Sequence, residues 1–187
     1  MANYIEFEVS LRNIKPRIWR RFLLKTTSSF YDLHMAIQEA FGWANCHLFE
    51  FQTGGRGRES IAGMPDPHGG YGDDVPAARK VRLLSYFSGK GGERCIYLYD
   101  FGDGWEHDVK AVALQTQEGK LQRMLLKGAR ACPLEDCGGV TGYTRWVDFL
   151  ATGVDPWDED PEEARAWLGD WAPDVFDLDA TKQRFDR

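Results

Sequence analysis

From Tyr4 to Leu11 apolar and polar residues alternate without a break: Ile5, Phe7, Val9 and Leu11 fall on one side, Glu6, Glu8 and Ser10 on the other. A period of two places these sets on opposite faces of an extended chain, so residues 4–11 predict a half-buried β-strand. Arg12 to Pro16 reads as a turn, because Pro16 has no N–H to give to a ladder interior, and Ile18 to Leu24 returns as a second strand. The pair predicts a hairpin.

Ser29 followed three residues on by Asp32 resembles a capping box, and Phe30, Leu33, Ile37 and Phe41 then recur at helical spacing before Gly42. This predicts the first helix, with His34 and Gln38 one turn apart and off its main apolar stripe. Leu48 to Gln52 reads as a third strand. Thr53 to Pro76, rich in glycine and proline, predicts a surface loop, and Val81 to Phe87 is an apolar run that fits helix or strand.

Cys95 to Asp108 carries the densest chemistry: two strand-like runs around a glycine-flanked turn, with four carboxylates and a histidine. Two hairpin registers compete. With a loop of Gly102 to Gly104, Tyr99 opposes His107 and the residues Tyr97, Tyr99, Phe101, Trp105, His107 and Val109 share a face. With a two-residue Asp103-Gly104 turn, Asp100 opposes His107 instead. The first register separates apolar from polar more cleanly and is preferred.

Gln122 to Leu126 predicts a further strand, and Tyr143, Trp146, Val147 and Leu150 mark a helix. Asp160-Pro161-Glu162-Glu163 supplies an N-cap, a proline at the first helical position and acids in the first turn, predicting a helix to about Leu168. Phe176 to Phe185 suggests a last short helix. Strands precede most of the helices, which predicts an α+β fold: a mostly antiparallel sheet with one early helix and a C-terminal group of helices packed against it. Residues 1–187 read as one domain without internal repeats, an ordinary length and composition for a single core (43% hydrophobic, 28% charged).

No apolar run approaches the roughly 18 residues that span a bilayer, and the N-terminus begins a strand, so no membrane association and a cytoplasmic location are expected. Four cysteines are too few for a disulfide scaffold and are expected to be free or metal-bound. The net charge of −6 argues against a surface given over to a phosphate backbone, yet charge is polarised. Arg12, Lys15, Arg17, Arg20, Arg21 and Lys25 have no acid among them, whereas from Asp148 onward twelve acids face four bases. A basic stripe of Arg17, Arg20 and Arg21 around Trp19 is a candidate nucleic-acid surface, because guanidinium groups bind phosphates and an indole stacks on bases. A solvated charged face is the plainer reading.

His107 with Asp100 or Asp103 could act as a general base oriented by a carboxylate, set against a plain role as a hydrogen-bonded histidine in an aromatic cluster. No Gly-x-Ser-x-Gly motif and no Walker-type glycine loop accompany it. Cys132 and Cys137 stand at the loose limit of zinc-ligand spacing, and His47 or His107 could complete such a site. Asp100, Asp103, Glu135 and Asp136 could instead hold a hard cation such as magnesium, although acids beside glycine also serve simply as turn formers.

The motifs Pro16-Arg17-Ile18-Trp19-Arg20-Arg21, Leu33-His34, Ile37-Gln38, Gly42-Trp43 and His47-Leu48 come first in order. Tyr97-Leu98-Tyr99-Asp100-Phe101-Gly102-Asp103, Trp105-Glu106-His107, Cys132-Pro133, Glu135-Asp136-Cys137-Gly138-Gly139, Gly142-Tyr143 and Phe176-Asp177 follow. Together they resemble the plasmid pRi-type ORF-3-like family, also met as passenger proteins of insertion elements. Leu134 replaces a usual second proline, and the 53–70 loop is unusually rich in glycine. The resemblance implies a compact α+β domain and carries over no activity, since gene company does not establish a mechanism.

Two function classes therefore stand. The first is a non-enzymatic binding module for nucleic acid or a protein partner, using the basic stripe and a cleft between the two acidic loops. The second is a metal-dependent, hydrolase-like enzyme with Asp100, Asp103, His107, Glu135 and Asp136 as catalytic candidates and Cys132, Cys137 and His107 as metal-ligand candidates. A divalent metal is the candidate cofactor; the sequence specifies no oligomeric state. Both depend on whether the hairpin tip and the thiol-bearing loop meet.

Overall fold

The alternating N-terminal segment forms β1 (Ala2–Leu11), which lies inside the sheet and pairs antiparallel with β2 (Trp19–Lys25). The computed structural model describes residues 1–64, 75–88, 93–118, 120–155, 157 and 160–187. Beyond the first hairpin follow α1 (Phe30–Phe41), β3 (Phe49–Thr53), β4 (Ser60–Gly63), β5 (Arg94–Tyr99), β6 (Trp105–Gln117) and β7 (Arg123–Ala129). The chain then turns helical in α2 (Gly139–Thr152), α3 (Pro161–Leu168) and α4 (Leu178–Phe185). The strands make one antiparallel sheet in the order β4-β3-β5-β6-β1-β2-β7. The fold is α+β, as expected.

Within the 53–76 segment, Ser60–Gly63 is a strand on the edge of the sheet rather than loop, held by pairing to β3, a long-range contact invisible in local composition. Residues 65–74 of that expected loop lie outside the described residues. The ambiguous 81–87 run forms only a short 3-10 turn at Leu83–Ser85.

Helix α1 covers the apolar face of the sheet. Its capping box is complete: the Ser29 side chain accepts from the Asp32 N–H, and the Asp32 carboxylate accepts from the Ser29 N–H at 2.8 Å. Gly42 closes the helix in the left-handed conformation, φ 96°. His34 and Gln38 are not peripheral but fully buried, because the polar tip of Tyr97 rises beneath them. The Gln38 amide donates to the Tyr97 hydroxyl at 3.0 Å, and that hydroxyl lies 2.8 Å from His34 Nδ1. Nε2 of His34 is 2.6 Å from Asn45 Oδ1, and the ring stacks on Phe49 at 3.6 Å. A buried amide and imidazole are tolerable here because the network satisfies them.

Helix α4 closes the other end of this layer over β7. Arg123 donates to the Phe185 carbonyl at 2.9 Å and pairs with Glu39 of α1, and the Lys182 ammonium donates to the Leu125 carbonyl at 2.6 Å.

The central hairpin adopts neither sequence-derived register. Tyr99 faces Trp105 and Tyr97 faces His107, leaving residues 100–104 as the turn. The shift from the preferred register is an even number of residues, so Tyr97, Tyr99, Trp105, His107 and Val109 still share the buried face. Asp100 leaves the ladder early because its backbone turns left-handed, φ 54°, while its N–H donates to the Leu48 carbonyl at 3.0 Å.

The first helix begins where its cap is satisfied, so Ser29→Ala should lower stability by about 1 kcal/mol. A urea titration should show a lower midpoint with an unchanged slope.

Candidate functional site

The turn at residues 100–104 and the loop at 131–139 meet. The Asp103 carboxylate accepts from the Gly138 N–H at 3.1 Å, and a Cβ on Gly139 would stand 2.4 Å from the Asp103 carbonyl oxygen. Only glycine allows that approach, and Gly139 also holds φ 66°. At the start of α2, Gly142 packs so closely on the Cys137 carbonyl that a Cβ there would lie 1.7 Å from the oxygen. Gly138 and Gly139 thus dock one acidic loop on the other, while Gly142 lets that second loop fold tightly back on the start of α2.

A third segment completes the junction. Between α1 and β3, Asn45 takes a left-handed turn, φ 57°, and presents Cys46 and His47 to the acids. His47 Nε2 lies 2.9 Å from Asp136 Oδ1, 3.6 Å from Asp100 Oδ2 and 3.9 Å from Glu135 Oε2. Despite its nearness to Asp136, this nitrogen is buried and makes no aligned hydrogen bond among the described residues, and Glu135 Oε2 is likewise buried without a donor among them. The other Glu135 oxygen is saturated: it accepts from the Ala44 N–H at 2.7 Å and the Tyr99 hydroxyl at 3.0 Å. Burial and the neighbouring Glu135 charge keep the Tyr99 phenol protonated, which suits it to donate. Asp100 Oδ1 accepts from the N–H groups of Gly102 and Asp103, leaving Oδ2 toward His47.

Asn45, Asp100 and Asp136 all hold positive φ around this point. Asn and Asp accept the left-handed region better than other side-chain-bearing residues, but at a cost, and such positions gather at functional sites. Their Asx chemistry explains how the loops bend there.

Two overlapping groups of side chains could hold a metal ion among the described residues: His47 with Asp100 and Asp136, and His47 with Cys46 and Glu135. In each, the ligating atoms lie within 4.8 Å of one another. One imidazole with carboxylates is a borderline-to-hard donor set suited to manganese or zinc, and the Cys46 thiol softens the second group toward zinc.

Several sequence candidates take other roles. His107 is fully buried among Phe41, Trp43 and Tyr97, its Nδ1 3.3 Å from the Tyr97 carbonyl and its Nε2 without a hydrogen bond among the described residues. Burial pulls its pKa down to about 3, so it is a neutral core residue with no access to a substrate proton. It belongs to neither metal-capable group among the described residues. Asp103 serves as the clamp between loops.

Cys132 and Cys137 belong to neither metal-capable group. Burial pushes the Cys137 thiol up to about 12 and raises that of Cys132 well above its ordinary value, which disfavours the thiolate a metal needs. The backbone beside them is pinned instead: Trp171 Nε1 donates to the Cys132 carbonyl at 2.7 Å and Trp43 Nε1 to the Pro133 carbonyl at 3.0 Å.

The basic stripe is largely spent within the sheet. Arg21 pairs with Glu8 at 2.9 Å, directly across the ladder, and with Glu6 at 3.3 Å. Arg17 also pairs with Glu8, and Arg12 with Glu106 at 2.7 Å. Trp19 is half-buried, with Arg17 and Lys127 over its ring. Arg20, 1% exposed, cannot reach a phosphate backbone: its guanidinium donates to the carbonyls of Trp19, Ala40, Ala129 and Arg130. The alternation of residues 4–11 set the acidic complement of the stripe, Glu6 and Glu8, on the facing strand β1.

His47 is the residue the sequence undervalued. In the sequence it offered only a further ligand to the cysteine pair; its acidic neighbours come from two other segments, the hairpin tip and the 131–139 loop.

The chain is matched over residues 3–180 by a family described as "Plasmid pRiA4b ORF-3-like protein". It is 38% identical over 169 residues to "Uncharacterized protein y4hQ" of Sinorhizobium fredii (strain NBRC 101917 / NGR234), covering 90% of this chain and 82% of that protein. Among solved structures it resembles a "Protein of Unknown Function MM3350" from Methanosarcina mazei Go1, with a TM-score of 0.80, 30% identity and 96% of each chain covered.

Two outcomes follow from this geometry. Gly139→Ala forces both a strained φ and a backbone clash, and should lower the melting temperature by an amount corresponding to at least about 1–3 kcal/mol. His34 and His107, with pKa values lowered by burial to about 4 and about 3, bind protons more weakly folded than unfolded. Their contribution is therefore complete above the unfolded value near 6.5 and lost progressively as pH falls through about 4 and about 3. Together they should impose a slope approaching about 2.7 kcal/mol per pH unit on unfolding free energy between about pH 6.5 and about pH 4, and half of that from there to about pH 3. His107→Leu should remove about half of that slope in urea titrations across pH.

Proposed function

The chain belongs to the plasmid pRiA4b ORF-3-like family, and for this member we propose a divalent-cation centre of the hydrolytic type, built from His47, Asp100, Glu135 and Asp136. The observation that carries the reading is that His47 Nε2 and Glu135 Oε2 are buried and make no hydrogen bond among the described residues, in the company of the Asp100 and Asp136 carboxylates. Buried polar atoms left without partners cost free energy, and a cation between them would satisfy both.

The chemistry of the set fits a working centre better than a purely structural one. Asp136 is 71% exposed along its side chain, so the cluster opens to solvent on that side and leaves coordination positions for water or substrate. A cation there would lower the pKa of a bound water, and an adjacent carboxylate would take its proton. Asp103 and Tyr99 act one layer out, the first by clamping the loops and the second by orienting Glu135.

The nucleic-acid reading draws less support, because Arg21 and Arg17 are ion-paired and Arg20 is enclosed. Its half that survives is the meeting of the two acidic loops, now assigned to a cation.

Calorimetric titration of chelator-treated protein with Mn²⁺ and Zn²⁺ should reveal one tight site, with Mg²⁺ weaker. His47→Ala and Asp100→Asn should each weaken it by at least about tenfold, whereas Cys132→Ser and Cys137→Ser should leave it unchanged. Failure to bind any of the three ions, or an unaltered affinity in His47→Ala, would remove the reading.

A further inference from the structure

His47 belongs to both metal-capable groups among the described residues, and the two differ in the kind of donor that accompanies it. On one side stand Asp100 and Asp136, which offer oxygen alone; on the other stand Glu135 and the thiol of Cys46. Because the groups share a single imidazole, they are alternative seats for one ion. What separates them is softness, the property by which a donor set distinguishes one divalent cation from another.

The Cys46 seat is organised in advance. The left-handed turn at Asn45 brings the Cys46 N–H to the Tyr99 hydroxyl at 3.2 Å, and that hydroxyl donates to Glu135 Oε1 at 3.0 Å. One phenol oxygen thus positions both ligand-bearing residues. Its only proton goes to Glu135, so it has none to offer Cys46 Sγ, 3.9 Å away, and a thiolate there keeps its lone pairs for a metal. Glu135 Oε1 also accepts from the Ala44 N–H, which leaves Oε2, buried and without a hydrogen bond among the described residues, as the ligating atom. Thiol, imidazole and carboxylate are three protein ligands with a tetrahedral position to spare for water, the arrangement of a reactive zinc centre.

The Asp100–Asp136 seat is more open. The Asp136 side chain stands largely in solvent, and Asp100 has one oxygen occupied by the N–H groups of Gly102 and Asp103. Two carboxylates without sulfur suit a harder ion that retains its waters.

The position of Cys46 also sets it apart from the other thiols. It alone of the four cysteines is exposed, whereas burial raises the pKa of Cys95, Cys132 and Cys137. The thiol that solvent and reagents reach is therefore the one beside His47.

We propose that Cys46 is a zinc-specific ligand of the centre: zinc takes the Cys46–His47–Glu135 seat, manganese and magnesium take the His47–Asp100–Asp136 seat, and the identity of the ion decides whether the thiol is covered or free to react. The assignment rests on the cation reading above. Asp100, 3.6 Å from His47 Nε2, attracts an ion in either seat, so its loss weakens both.

Iodoacetamide labelling of chelator-treated protein, with the Cys46 peptide followed by mass spectrometry, tests the proposal. Saturating Zn²⁺ should slow labelling of Cys46 by at least about tenfold, and saturating Mn²⁺ by less than about twofold. In calorimetry, Cys46→Ser should weaken Zn²⁺ by at least about tenfold and leave Mn²⁺ within about twofold of the unaltered protein. Asp136→Asn should do the reverse, weakening Mn²⁺ more than Zn²⁺. Zn²⁺ that binds without protecting Cys46, equal protection by the two ions, or an unchanged Zn²⁺ affinity in Cys46→Ser would each overturn the proposal and leave the cation centre standing. Absence of binding by every ion would remove both.

Discussion

The Asp103 carboxylate grips the Gly138 N–H while Gly139 slides beneath the Asp103 carbonyl, and on that junction the arrangement of the acidic loops depends. One loop is the tip of the β5–β6 hairpin; the other leads into α2, and more than thirty residues of chain separate them. Bringing both to one place costs chain entropy, offset by direct contact only because Gly139 has no side chain to hold the two backbones apart. With the junction closed, Asp100 and Asp136 come to face His47 from opposite loops. Left-handed turns at Asn45, Asp100 and Asp136 then aim the side chains inward.

The described histidines divide according to what the surrounding layers can offer. His34 lies under α1, satisfied by Tyr97 and Asn45 and stacked on Phe49. His107 lies deeper still, with aromatic edges on either side and one carbonyl for its Nδ1. Both gain by staying neutral, since an imidazolium in either place would lose its hydration without gaining a counter-charge. His47 stands at the rim, 28% exposed along its side chain, with three carboxylates about it. The same residue type is thus a packing element in two positions and a ligand candidate in the third, and depth in the fold is the difference.

Arg20 shows the same logic for a positive charge. Its neighbours Arg17 and Arg21 spend their charge on Glu8, whose position opposite Arg21 is fixed by the β1–β2 ladder. Arg20 points the other way on the strand, beneath the end of α1, where only carbonyls and rings await it. Burial lowers its pKa to about 10, which still leaves it charged at neutral pH. A stripe that looks uniform along the chain is divided by the two-residue period of a strand into a neutralised outer row and a buried inner cation.

Local periodicity and capping determined much of the architecture: the alternation of residues 4–11, the Ser29–Asp32 cap, the Asp160-Pro161 helix start and the face shared by Tyr97, Tyr99, Trp105 and His107 all reappear in the structure. These are readable because they rest on interactions between residues close in sequence. The pairing of Ser60–Gly63 with β3, the five-residue turn at 100–104 and the burial of His34 and Gln38 were decided by distant partners. So was the candidate site. Its acids stand out in the sequence, but His47 gains its meaning only when three segments converge, because ligand geometry is a property of distances in space and spacing along a chain fixes those distances only within a single element.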